Sequence, residues 1–360
     1  MELGIIGLPT SGKTTIFNAL ARAERPTAAA STGKLELVSG VVDVPDVRID
    51  RLSEMYAPRK TTYAKVTYTD IAGLDQDLGK KGLSGELRNK IGPMEAFVHV
   101  VRAFENEHVP HILGSVDPQR DLDRLEGELM LADMLAVETQ LDRTQERLDK
   151  GARGPERQKL EEDLALFQRL SATLATGEPL RDMALTSEEL RRLRGFCLLT
   201  LKPVLILVNT GDEQDVGAKP VTFEHQRSEV LALHGQIEME LSRLSQEEVR
   251  AFMDEFGIQE LALNRVIQAS YALIGLHSFF TVGEDEVRAW NLPVGGTALE
   301  AAGTIHTDLA KGFIRAEVVA YDDLIEAGSM AAARKAAKVH LEGKDYVVQD
   351  GDVLHIRFSV

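Results

Sequence analysis

Eight residues near the start of the chain, Gly7-Leu8-Pro9-Thr10-Ser11-Gly12-Lys13-Thr14, constrain it more than any other segment. They satisfy the spacing G-x-x-x-x-G-K-[ST] at every fixed position. An apolar run, Leu3 to Ile6, precedes them, and Thr15-Ile16-Phe17-Asn18-Ala19-Leu20 reads as the start of a helix. Strand, glycine loop and helix in that order make a phosphate site, because backbone N–H groups curl around the anion and the helix dipole adds favourable potential. In that reading Leu8, Pro9, Thr10, Ser11, Gly12, Lys13, Thr14 and Thr15 contact the nucleotide. Lys13 reaches the terminal phosphates and the Thr14 hydroxyl ligates magnesium.

The segments that follow fit an α/β fold with a parallel sheet. Ala64 to Thr69 alternates and ends at Asp70, Ala96 to Val101 is a second candidate strand, and Leu205 to Val208 is a third ending at Asn209. Short apolar strands separated by helical stretches suggest a sheet covered on both faces. Ligands of such sheets bind beyond the carboxyl ends of the strands. The phosphate loop, Asp70 and Asn209 all fall at such ends.

Asp70-Ile71-Ala72-Gly73 places a carboxylate to hold magnesium through water and a glycine N–H to meet the γ-phosphate. Lys13 and Gly73 are thus the catalytic candidates, and Thr14 and Asp70 the metal candidates. In Ras-like enzymes a Gln after this glycine orients the attacking water. Leu74 stands there instead, so unaided hydrolysis is expected to be slow, with Gln76 a lesser candidate for that role. Asn209-Thr210-Gly211-Asp212 occupies the base-reading place, where guanine-specific proteins carry N-K-x-D. Asn209 and Asp212 are the candidate base contacts, and Thr210 in place of Lys leaves ATP and GTP both open.

Between the second and third strands, Met130, Met134, Val137, Leu141 and Leu148 recur at helical spacing. Leu160, Leu164, Phe167 and Leu174 do so again after a break at Lys150 to Pro155. That pattern predicts an antiparallel pair of helices. It is either a spacer or an arm that touches something large. From about Ser278, strands at Glu286–Trp290, Phe313–Val319 and Gly351–Phe358 around a short helix at Leu299–Ile305 suggest a small mixed domain.

The chain has 360 residues, of which 44% are apolar, enough for two or three domains. No apolar run is long enough to span a bilayer, and the N-terminus shows no signal segment. The single cysteine, Cys197, rules out an intramolecular disulfide. These features predict a cytoplasmic protein with no membrane partner. The net charge of −16 opposes broad nucleic-acid binding, and sequence-specific DNA is not an expected partner.

These segments together resemble the YchF-type branch of the Obg-like ATPases. The resemblance is carried by Gly4 to Pro9, Gly12 to Thr15 with Phe17 to Leu20, Asp70 to Leu74, Leu201 to Val204, and Leu263 to Ile267. Its most specific part is C-terminal: Phe280 to Gly283, Ala302 to Asp308, Gly312 to Glu317, Ala320 to Leu324, Leu341 to Tyr346 and Gln349 to Asp352. It implies a Ras-like nucleotide-binding domain (1–117 and 201–277), an inserted helical coiled-coil hairpin (118–200), and a C-terminal TGS domain of β-grasp fold (278–360). It also implies hydrolysis with a leaning toward ATP, a Mg2+ cofactor, and association with ribosomes or structured RNA. Leu74 matches the hydrophobic residue typical of this branch. Three departures stand out. Thr10-Ser11 replaces the usual Asn-Val of the loop. Lys34 falls where the first switch threonine is expected, with Ser31 and Thr32 nearby. Asp212 partly restores a guanine-reading carboxylate. Two other functions fit the loop: a nucleotide-gated binding module with incidental hydrolysis, and a metabolic kinase, against which the D-x-x-G segment and the terminal domain argue.

Overall fold

Ala96–Ala103 and Val204–Thr210 are buried at every position, as strands covered on both faces must be. They are β5 and β6 of a six-stranded sheet in the order β2-β4-β1-β5-β6-β7. The other strands are β1 (Glu2–Ile6), β2 (Glu36–Asp43), β4 (Lys65–Ala72) and β7 (Ser228–Leu233). Lys60–Thr62, in a second sheet, is β3. From β4 to β7 the pairings are all parallel. The computed structural model describes residues 1–25, 36–72, 83, 85–211 and 221–359. They divide into two compact units, Met1–Gly40 with Thr67–Leu263, and Val41–Val66 with Asn264–Val360.

In the first unit β1 lies where the winding of the sheet reverses, with β4 on one side and β5 on the other. A crevice at the carboxyl end of such a strand is where ligands bind. Register sets four pairings along that edge: Ile5 with Asp70, Ile6 with His99, Arg102 with Asn209, and Asn209 with Leu233. One apolar cluster, including Ile6, Phe97, Val101, Leu122, Leu125, Ile206 and Val208, joins this sheet to the first of the two long helices.

Those helices are Pro118–Asp149 and Gly154–Ala175. Asp117 caps the first, its carboxylate accepting from the Arg120 N–H, with Pro118 in the first turn, where a missing N–H costs nothing. The break at Lys150 to Arg153 falls within the expected turn, and Gly151 takes φ +90° there. Val137, Phe167, Leu170 and Leu174 fill the seam, with Met130, Met134 and Leu141 packed against them. At the root of the pair, buried Asp133 accepts from the backbone N–H groups of Leu199 (2.8 Å) and Thr200 (2.7 Å). Glu126 accepts from the buried Arg181 guanidinium at 3.1 Å. Burial works to raise the Glu126 carboxyl, but the Arg181 charge and His99 overcome it, so its pKa is lowered.

The second unit is built on the sheet β11-β10-β12-β8-β9-β3, in which β8 is Leu276–Thr281, β9 Glu286–Pro293, β10 Phe313–Ala320, β11 His340–Glu342 and β12 Asp352–Phe358. The helix Ala298–Ile305 packs on it through Ala298, Ala301 and Ala302, and a reciprocal Thr297–Glu300 capping box starts that helix. Two differences from the sequence reading appear. The unit takes in Val41–Val66 as well as the C-terminal residues, because β3 pairs in parallel with β9 and Arg48 bridges Asp46 and Asp350. It also holds further helices, Thr307–Lys311, Tyr321–Ala327 and Met330–Lys335, where the sequence pointed to one.

Candidate functional site

The loop from Gly7 to Gly12 can pass this close to its neighbours because glycines stand where a side chain would not fit. A Cβ on Gly7 would strike the Val100 carbonyl, and one on Gly12, at φ +96°, would strike the Asn209 amide. Thr10, although not glycine, holds φ +60°. Leu8, Pro9 and Ser11 are buried, while Thr10, Gly12, Thr14 and Thr15 are partly exposed. The helix Lys13–Ala21 begins with no side-chain cap and no acidic residue in its first turn. Its first N–H groups are therefore not covered by a capping side chain, as an anion site at a helix start requires. The Lys13 ammonium donates to the carbonyls of Gly7 (3.1 Å) and Leu8 (2.8 Å), which folds it along the loop.

Beside the loop, the structure brings Thr14 and Asp70 together. The Thr14 hydroxyl donates to Asp70 Oδ2 at 2.9 Å. Asp70 is fully buried, and its Oδ1 has no hydrogen-bond partner among the described residues. A hydroxyl and a carboxylate oxygen with unused lone pairs fit a hard cation such as magnesium. The same Asp70 Oδ2 also takes a 2.5 Å ion pair from Arg25, a residue that no sequence motif singled out.

At the other end of the crevice Asn209 serves a purpose the sequence did not suggest. Its amide nitrogen donates to the Ser11 carbonyl at 3.0 Å, and its oxygen accepts from the Gly235 N–H at 3.0 Å. The expected base contact also forms a buried strut between the phosphate loop and the turn after β7. Thr210 repeats the pattern one residue on, donating to the Leu233 carbonyl at 3.0 Å. That turn, His234-Gly235, was missed in sequence because Ser228–Leu233, a half-buried edge strand, does not alternate and was not read as a strand.

Arg102, at the end of β5, is a second omission. It is 1% exposed. It donates to the Thr10 hydroxyl (3.1 Å), the Phe104 carbonyl (3.0 Å) and the Val109 carbonyl (2.7 Å). Burial lowers its pKa, against the opposing charges of Glu105 and Asp121. Arg102 therefore ties the loop to the segment leading into the first long helix, where His111 meets Asp121 at 2.7 Å. A cationic side chain ending a buried strand is the signal that would have found it. His99 is a packed residue, 1% exposed, with its Nδ1 3.7 Å from Glu126. Gly73, Leu74, Gln76, Asp212, Ser31, Thr32 and Lys34 lie outside the described residues.

Residues 2–137 match the family model described as 50S ribosome-binding GTPase, and residues 276–359 match the C-terminal model of the YchF GTPases. Ribosome-binding ATPase YchF of Bacillus subtilis is 40% identical over 371 residues, covering all of both chains. The protein of the same name from Escherichia coli O157:H7 is 38% identical, over all of this chain and 99% of its own. The solved structure of the Schizosaccharomyces pombe YchF GTPase superposes with a TM-score of 0.85 at 30% identity, covering 99% of this chain and 97% of that one. No helix among the described residues is long and apolar enough to cross a membrane.

Proposed function

The chain belongs to the YchF family, and on that premise we propose that it is a magnesium-dependent nucleoside triphosphatase acting as a ribosome-associated switch in the cytoplasm. The observation that carries this reading is the Thr14–Asp70 pair beside the phosphate loop, with one buried Asp70 oxygen left without a partner. The family matches support hydrolysis of the β–γ phosphoanhydride bond, and the relatives' printed names, ATPase and GTPase, keep both nucleotides in view.

Each residue has a part. The loop N–H groups receive the phosphate oxygens, and Lys13 exchanges the Gly7 and Leu8 carbonyls for the terminal phosphates. Thr14 and Asp70 would hold magnesium, which when bound neutralises charge building up on the phosphate oxygens. Gly73 offers its N–H to the γ-phosphate. Leu74 cannot hydrogen-bond a water, so turnover without a partner is slow. Asn209 and Asp212 are the candidate base contacts, and Asn209 also positions the loops. The helical hairpin (118–200) and the terminal domain (278–360) form separate modules that meet the ribosome or structured RNA, with an affinity set by the nucleotide.

A second reading, a nucleotide-gated binding module with incidental hydrolysis, is favoured by Leu74. Competition of ATP against GTP in magnesium identifies the nucleotide. Single-turnover and steady-state rates with and without ribosomes then separate the readings: acceleration by ribosomes supports the switch, and binding without acceleration supports the module.

A further inference from the structure

We propose that Arg25 is a built-in counter-ion for Asp70 that holds the metal's place until magnesium and triphosphate arrive. Asp70 is fully buried, and a buried carboxylate with no cation is costly. The Arg25 guanidinium supplies that cation at 2.5 Å. Its delivery is built into the fold. The buried Asn18 side chain donates to the Arg25 carbonyl at 2.8 Å and accepts from the Arg25 N–H at 3.1 Å, fixing the backbone just beyond the helix Lys13–Ala21.

The guanidinium and a magnesium ion compete for the same carboxylate. Arg25 and the Thr14 hydroxyl both bond Asp70 Oδ2, the oxygen nearest the residue expected to ligate the metal. A divalent cation there meets a fixed positive charge within a few ångströms, a repulsion that a low-dielectric site does little to screen. Metal loading therefore loosens the Arg25–Asp70 pair. Glu36, whose Oε2 is 3.7 Å from Arg25 Nη2, is a second carboxylate within reach of the displaced side chain. Arg25 accordingly raises the magnesium concentration the site needs, while protecting the metal-free protein from a bare buried charge.

This inference rests on the magnesium–triphosphate reading, and one experiment tests the two separately. A fluorescent non-hydrolysable triphosphate is titrated onto the full-length protein at increasing magnesium, and melting is followed in EDTA. Wild-type binding that does not depend on magnesium overturns the reading of the site. Given magnesium-dependent binding, Arg25→Ala is expected to lower the half-saturating magnesium concentration about tenfold, the scale of losing one nearby like charge. The same variant melts below wild type in EDTA, and the gap narrows when magnesium and triphosphate are saturating. Arg25→Lys, which keeps the charge, stays closer to wild type in its magnesium requirement than Arg25→Ala does. An unchanged or higher magnesium requirement in Arg25→Ala overturns the counter-ion role. So does weakened triphosphate binding at saturating magnesium, which would put the guanidinium on a phosphate.

Discussion

The two ends of the nucleotide crevice use buried polar groups in opposite ways. At the phosphate end valence is left over: Asp70 Oδ1 and Ser11 Oγ are buried without a partner among the described residues. Lys13 rests on carbonyls it can leave. At the base end Asn209 has a backbone partner at each end of its amide. Orphaned buried groups cost free energy, so they persist where a ligand repairs the deficit, whereas paired ones hold the scaffold in shape. The phosphate end is thus built to receive, and the base end to brace the loop that receives.

The largest effect that could break this contrast is expected at Lys13. Lys13→Ala removes the cation that meets the terminal phosphates and should weaken triphosphate binding at least about a hundredfold, near 3 kcal/mol. Calorimetric titration at saturating magnesium reads it, and near-normal affinity would remove the phosphate-loop assignment. Asn209→Ala is expected to act differently. It strands the Ser11 carbonyl and the Gly235 N–H inside the protein, at about 2–4 kcal/mol of folding stability. Urea denaturation of the ligand-free protein measures this. ATP and GTP should weaken alike; a changed ratio would make Asn209 a base-reading residue after all.

Why the two ends differed in legibility follows from the same chemistry. The phosphate end is local. Its loop, its strand and its helix lie within twenty consecutive residues, and Asp70 sits two residues before the end of a strand that period and composition disclose. Asn209 was found for the same reason, as the end of a buried run, but its partners are backbone groups of Ser11 and Gly235, 198 and 26 residues away, and no side-chain pattern records them. The hairpin was legible because seven-residue spacing survives any tertiary setting, and its break fell at Lys150 to Arg153. β3 was not: three residues are too few to show alternation, and their pairing with β9 is what carries Val41–Val66 into the second unit. Arg25 was invisible for a third reason. It acts by reaching across the fold to Asp70, and lone arginines are too common in sequence to stand out.

The contrast sharpens at Asp212, the carboxylate candidate for reading the base. If it accepts from guanine, Asp212→Ala should weaken GTP about tenfold and leave ATP nearly unchanged, because only guanine leaves a donor unsatisfied when the carboxylate goes. Competition between the two nucleotides on the purified variant reads the ratio directly. Equal loss for both, or none, would reject the role and move base choice to the His234-Gly235 turn.

The smallest expected effect tests whether the base end is scaffold rather than receptor. Glu238 lies in the helix Gly235–Leu241 that follows this turn, and its Oε1 accepts from the Ala262 N–H at 3.1 Å. Burial raises its pKa, only partly opposed by the Ala262 and Leu263 N–H groups. A raised carboxyl binds protons more tightly folded than unfolded, so the ionised form is a liability at neutral pH that shrinks as the pH falls toward the raised value. Glu238→Gln mimics the protonated group and should stabilise the protein by under about 1 kcal/mol at pH 7. Its advantage over wild type should narrow in urea melts taken at progressively lower pH, with nucleotide affinity unaffected. An advantage that grows on acidification would contradict the burial argument. A loss of affinity in the same variant would place this helix within the receiving part of the site and erase the distinction between its two ends.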